Sequence, residues 1–308
     1  MDTSLKYLTL NTGAKMPLMG LGTWKSGPNE AGDAVEYALT EAGYRHIDCA
    51  AAYGNEKEIG EALGRVFKSG EVQRKDVFIT SKLWNTAHAR DAVRPACEAT
   101  LKDLGLDYLD LYLVHWGMST SDSHWAVDEN GVLALDPVPY RETWEAMEEL
   151  VEAGLVKAIG VANLSVAQLI DLLSYAKIRP AMNQVELHPY LQQSRLVEFC
   201  QYRDIAVTAY SPLGRPGAAE MAGKLVDDET IVKIARAHKK TPAQVLLRWG
   251  IQRNTVVIPK STHRERIQEN IGIFDFELSA EEMEAIAALE RGQRLVDPYE
   301  WGKIPYFG

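Results

Sequence analysis

Apolar positions along this chain fall into two alternating textures. Short, near-continuous apolar runs occupy 18–24 ("LMGLGTW"), 44–50, 77–83, 108–116, 155–163, 180–188, 205–213 and 255–261. Runs of this kind, without strict alternation, suit strands covered on both faces of a parallel sheet. Between them lie longer segments with helical periodicity, such as "NEAGDAVEYALTEAG" (29–43), "EKEIGEALGRVF" (56–67), "RDAVRPACEATLKDLG" (90–105) and "YRETWEAMEELVEAG" (140–154). Start signals support the helices. Ser165 with Gln168 and Ser279 with Glu282 form capping boxes, and Thr241 precedes Pro242 at a first helical position. Gly43, Gly105 and Gly154 stand where helices should stop. Ahead of the first unit, "KYLTLNTGAKMPL" reads as a hairpin turning at Asn11, Thr12 and Gly13.

Eight strand-plus-helix units predict an α/β fold, a closed (β/α)8 TIM barrel, with residues 1–308 as a single domain. A doubly wound open sheet is the alternative. It would announce a dinucleotide site by G-x-G-x-x-G after the first strand. Here Gly20 and Gly22 are followed by Lys25 where the third glycine belongs, so the fingerprint is absent. One long irregular stretch, 117–139, remains. Loops of that length in a compact domain are usually functional.

Composition narrows the function classes. A net charge of −10 argues against a nucleic-acid partner, which would require a basic face. No apolar run reaches the ~20 residues of a membrane helix, so no membrane partner is expected. Cys49, Cys97 and Cys200 show no metal or disulfide spacing, and the N-terminal stretch lacks a secretory pattern. These features predict a cytoplasmic protein; a monomer or weak homodimer is expected beside them, without a sequence feature that fixes it.

In a barrel, chemistry gathers at the carboxyl ends of the strands. Read in order, those ends carry Asp48 with Tyr53 in the following loop, then Lys82, His115, Asn163, Asn183 and Gln184, Tyr210, and finally Lys260 and Ser261. Each alone has a plain structural explanation: a turn-forming aspartate, a solvated lysine, a satisfied imidazole, a packing tyrosine. Together, four titratable groups from three consecutive strands converge on one rim. The set suits reduction of a carbonyl by hydride, with a proton delivered to the oxygen. Tyr53 is the candidate acid, and a buried Lys82 would draw its pKa down from about 10 by favouring the phenolate. Asp48 would hold Lys82, and His115 would align the carbonyl oxygen or share the proton transfer. H-E-x-x-H and nucleophile motifs are absent, so no metal is expected.

The motifs "GLGTW", "GYRHIDCAAAYGNE", "SKLW", "LYLVHW", "GLVKAIGVANLS", "NQVELHPY", "TAYSPLG" and "VVIPKS" followed by "RERIQEN" resemble the aldo-keto reductase family along essentially the whole chain. The resemblance implies a (β/α)8 barrel with an N-terminal hairpin below and long loops over its carboxyl face. It implies the tetrad Asp48, Tyr53, Lys82 and His115, and NADPH (NADP+) as cofactor, with NADH less favoured. It also implies a small-molecule carbonyl substrate. Matched cofactor positions are Gly22, Thr23, Trp24, Asp48, Asn163, Gln184, Tyr210, Ser211 and Leu213. On the adenine side they are Lys260, Ser261, Thr262, Arg266, Glu269 and Asn270, where two cations at a 2′-phosphate would favour NADPH. The implied substrate wall is Trp24, Tyr53, Trp84, His115 and Trp116, with Trp125 from the long loop.

One departure is Ala162, where the family has a serine able to hydrogen-bond the nicotinamide amide. The segment around 169–201 and the ending "VDPYEWGKIPYFG" look most like xylose and related aldose reductases, and read as structural or peripheral. Alternatives within the resemblance are a hexose-6-phosphate reductase or polyol dehydrogenase. A cofactor-binding, non-catalytic subunit is the alternative of a different class.

Overall fold

The computed structural model describes residues 6–121, 127–215 and 225–307. A two-stranded hairpin, β1 (Tyr7–Thr9) and β2 (Lys15–Pro17), opens the chain with Leu8 opposite Met16. Its turn closes through Gly13, at φ 84°, whose amide donates to the Leu10 carbonyl at 2.8 Å. Asn11 Nδ2 donates to the Pro180 carbonyl, which holds the hairpin at the amino ends of the barrel strands.

Eight parallel strands follow: β3 (Leu21–Gly22), β4 (His46–Asp48), β5 (Phe78–Leu83), β6 (Leu111–Val114), β7 (Ile159–Ala162), β8 (Met182–Glu186), β9 (Ala206–Tyr210) and β10 (Val256–Val257). Each pairs with the next in chain order. Parallel bridges Met19 to Val257 and Gly22 to Lys260 join the first to the last and close the ring. The Gly20 amide donates to Val257 O at 2.9 Å and the Gly22 amide to Pro259 O at 3.1 Å across this seam. The fold is the expected (β/α)8 barrel.

The seam corrects the expected first and last strands. The runs 18–24 and 255–261 contribute only two paired residues each as strand, because the closing register is staggered. Thr23 and Trp24 thereby pass to the carboxyl rim, which Lys260 reaches at its closing bridge to Gly22.

The α-helices among the described residues are α1 (Glu30–Thr40), α2 (Glu56–Ser69), α3 (Arg90–Leu104), α4 (Tyr140–Glu152), α5 (Val166–Tyr175), α6 (Ser194–Tyr202), α7 (Glu229–His238), α8 (Pro242–Gln252), α9 (Arg264–Ile271), α10 (Ala280–Ala287) and α11 (Pro298–Gly302). The boxes at Ser165 and Ser279 form as expected, and Thr241 ahead of Pro242 forms a further one with Gln244, each hydroxyl accepting the amide three residues on. Gly105 ends α3 in the left-handed region. Two antiparallel bridges tie the described residues of the 117–139 stretch together. Thr120 pairs with Leu135 and Val127 with Leu133, and the Leu133 amide donates to Gly302 O. Trp125 lies outside the described residues. No helix among the described residues is long and apolar enough to cross a membrane.

Candidate active site

The strand ends deliver their polar residues to one mouth. Asp48 is the last residue of β4, and a single 3-10 turn, Ala51–Tyr53, follows it. Gly54, at φ 68°, then breaks that turn so that α2 can start at Glu56. Lys82 lies on β5 and His115 directly follows β6, so the three strands are adjacent.

Lys82 is 1% exposed, yet its ammonium is saturated: Asp48 Oδ1 at 2.5 Å, Cys49 O at 2.8 Å and the Tyr53 hydroxyl at 3.2 Å. Asp48 Oδ2 accepts from Gln184 Nε2 at 2.7 Å, and the Asp48 carbonyl accepts from the Thr23 hydroxyl. A buried ion pair is tolerable only when every remaining valence is met, and here it is.

Electrostatics distinguish the four groups. Burial alone would lower Lys82, but Asp48 and Tyr53 overturn this and hold its ammonium above the usual range. Burial pushes His115 well below the ordinary imidazole value, with Lys82 adding to the effect, so it is neutral at neutral pH. Tyr53 departs from expectation. Burial pushes it up to about 12; the Lys82 charge pulls down but does not win, and Asp48 adds to the rise. The ammonium is already paired with Asp48, so its grip on a phenolate is weaker than an isolated lysine's. Tyr53 therefore holds its proton at neutral pH.

A second layer fixes these groups. Asn163 Nδ2 donates to the His115 carbonyl at 3.0 Å, and the Tyr210 hydroxyl donates to Asn163 Oδ1 at 2.9 Å. The imidazole sits 5.2 Å from the Trp84 ring and 5.8 Å from Tyr53, both edge-on, with Nδ1 buried and unpartnered. Lys25, Asn163, Ser211 and Arg215 all hold left-handed backbone at this rim. Such strain in non-glycine residues concentrates at functional sites.

One cavity of about 1100 Å³ gathers Gly22, Thr23, Trp24, Asp48, Tyr53, Trp84, His115, Trp116, Asn163, Gln184, Tyr210, Ser211, Leu213 and Lys260. Ser261, Thr262, Arg266, Glu269 and Asn270 stand outside its lining. Glu269 accepts from the Thr241 hydroxyl at the start of α8, Ser261 bonds within its own turn, and Arg266 is exposed on α9.

Sequence reasoning missed Arg215, Arg294, Leu295, Val296, Asp297, Glu300 and Trp301, which also line the cavity. The ending taken as peripheral is in fact a wall: Trp301 and Tyr306 pack edge-on against Trp116 at 6.0 and 5.4 Å. The one signal was aromatic density in a segment without periodicity.

Behind the rim, Glu56 is 4% exposed and accepts from Ser81 Oγ at 2.5 Å and Thr100 Oγ1 at 3.0 Å. Burial pushes its carboxyl up from 4.5 to about 7, against the pull of both hydroxyls. A raised acid binds its proton more tightly in the native state. Its contribution is therefore complete below pH 4.5 and lost as pH rises through about 7. Glu56→Gln is expected to flatten the stability–pH curve across that window. Relative to pH 5, the wild type should lose on the order of 3 kcal/mol more than the variant by pH 8. Urea unfolding of both proteins at the two pH values measures this, and parallel curves would refute it.

The ring and its mouth define a (β/α)8-barrel protein with one convergent polar site. Residues 18–291 match the Aldo/keto reductase family, and the chain belongs to that family of oxidoreductases. It is 50% identical over 297 residues to Aldo-keto reductase family 1 member A1-A of Danio rerio, covering 94% of this chain and 91% of the relative. It is 51% identical over 300 residues to Aldose reductase B of Dictyostelium discoideum, covering 95% and 94%. Among solved structures, the aldose reductase of Schistosoma japonicum superposes with a TM-score of 0.92 at 45% identity, covering 98% of each chain. A Bombyx mori aldo-keto reductase in complex with NADP gives 0.91 at 39%, covering 99% of each.

Proposed function

We propose that this chain reduces aldehydes and open-chain aldoses, xylose-like sugars included, to alcohols, using NADPH. The observation that carries this is the contact of a protonated Tyr53 with the Lys82–Asp48 pair beside a neutral His115, at the floor of one large cavity.

The donor set fits the cofactor. Amide side chains at Asn163 and Gln184 beside the Tyr210 ring suit a planar carboxamide head, and Lys25, Arg215 and Lys260 around the mouth suit a polyphosphate. The NADP-bound relative supports the same assignment. Gly22, Thr23, Trp24, Ser211 and Leu213 would flank the head and the phosphates. Ser261, Thr262, Arg266, Glu269 and Asn270 would take the adenosine end with Lys260, and the cations Lys260 and Arg266 would favour NADPH over NADH. Ala162 is buried opposite Gln184 in the strand register and offers no hydroxyl, a loss of about 1 kcal/mol in cofactor binding.

When bound, NADPH supplies the hydride. Tyr53 gives its proton to the carbonyl oxygen, and Lys82 stabilises the phenolate left behind. Asp48 keeps Lys82 charged and aimed. The neutral imidazole of His115 donates an N–H to the carbonyl oxygen and orients it. Trp24, Trp84 and Trp116 form the apolar wall that excludes water and accepts the substrate's carbon chain.

Arg294 on the cavity wall favours a second reading, a sugar phosphate as substrate. The reading further includes a single-domain, monomeric or weakly dimeric cytoplasmic protein; its three cysteines, free and buried, agree with a reducing compartment. NADPH and NADH oxidation over xylose, glucose 6-phosphate, mannose 6-phosphate and simple aldehydes tests it. Turnover of aldehydes and aldoses with NADPH is expected. Preference for the phosphates would support the second reading, and stoichiometric NADPH binding without oxidation of any substrate would refute both.

A further inference from the structure

After Gly292 the chain crosses the barrel mouth; Leu295, Val296 and Asp297 line the cavity from an irregular stretch, and Trp301 lines it from α11. This segment joins no sheet. At its centre, the backbone amides of Leu295 and Val296 are held by one side chain, Glu186, the last residue of β8.

Glu186 is fully buried and does not line the cavity. Its Oε1 accepts the Leu295 amide at 2.9 Å, and its Oε2 accepts the Val296 amide at 2.9 Å and the Leu295 amide at 3.1 Å. His188 Nε2 lies 2.9 Å from Oε1, so both oxygens are committed. Hydrogen bonds to an ionised acceptor are roughly twice as strong as neutral ones, and these are shielded from water. From the opposite side, Arg215 Nη1 donates to the Leu295 carbonyl at 3.1 Å while its guanidinium lies over the Trp24 ring. One peptide unit is thus gripped between a buried anion and a cation of the facing wall.

The rest of the tail has separate anchors. The Gln293 amide donates to Tyr190 O, Gly302 O accepts from Leu133, and the Tyr306 hydroxyl accepts from Gly117. Releasing Glu186 therefore frees only the part between Gln293 and Gly302, which is the part facing the cavity.

We propose that Glu186 is a positioning residue for substrate selection: its carboxylate sets the height of the C-terminal wall, and so which carbonyl compounds fit beneath it. The proposal rests on the cavity being the carbonyl site. Small aldehydes that stay near Tyr53 and His115 are indifferent to that wall. Longer chains and aromatic aldehydes that reach Val296 and Trp301 depend on it.

Glu186→Gln keeps the shape but turns an N–H toward the two amides. Hydrogen exchange at Leu295 and Val296 is expected to accelerate about tenfold or more, with β8 protection retained. KM for xylose and 4-nitrobenzaldehyde should rise about tenfold while kcat and KM for acetaldehyde stay within about twofold. Glu186→Asp, which keeps the charge on a shorter arm, should fall between the two and serves as the test should the first variant fold poorly. Unchanged exchange at Leu295 and Val296, or equal KM changes for short and long substrates, overturns the proposal. If the wild type itself turns over no aldehyde, the functional reading has failed instead, and the exchange data still judge the anchor.

Discussion

Replacing Tyr53 by phenylalanine is expected to lower kcat for aldehyde reduction by about a thousandfold, the scale of a positioned general acid. The substitution is spare. It keeps the ring beside Trp24 and His115 and under the Lys82 ammonium, and removes one hydroxyl. Lys82 retains Asp48 and the Cys49 carbonyl, so the floor of the site should hold its shape. NADPH binding, followed by fluorescence titration, should therefore stay within about twofold, since only a transition-state interaction has gone. Near-wild-type turnover in this variant would show that the proton comes from elsewhere.

Lys82→Met should damage both stability and activity. Asp48, 2% exposed, would keep Gln184 but lose its counter-charge. Breaking a buried pair from one side costs about 3–5 kcal/mol, because the remaining charge is stranded. Turnover should drop at least as far as in Tyr53→Phe, since nothing would stabilise a phenolate. Adding Asp48→Asn separates the two effects. The double variant is expected to regain most of the stability in urea unfolding and none of the NADPH oxidation. If Lys82→Met costs less than about 1 kcal/mol, the pair is not the buried, mutually dependent unit described.

How far the sequence carried this picture depends on what each residue answers to. The barrel was legible because its strands are buried on both faces and so appear as unbroken apolar runs. Asp48, Lys82 and His115 stood out because each is polar at the end of such a run. The short first and last strands were not legible, since the stagger that closes the ring belongs to no single segment. Nor was the direction of the Tyr53 shift: burial and the Lys82 charge oppose each other, and only the packed site decides between them. The C-terminal wall was hidden most deeply, because its partner Glu186 lies 109 residues away from Leu295. Lys260 and Ser261 were legible as the end of the last strand, whereas Thr262, Arg266, Glu269 and Asn270 came from resemblance alone; of the six only Lys260 reaches the cavity.

The most direct measurement follows atoms rather than rates. NADPH deuterated at the transferring C4 position is incubated with wild-type protein and an excess of aldehyde, and the alcohol is analysed by mass and NMR. One deuterium per product, on the carbinol carbon, with turnover nearly abolished in Tyr53→Phe, is the predicted result. Alcohol without deuterium, or no alcohol from any aldehyde or aldose despite bound NADPH, would contradict a reductase site at this mouth.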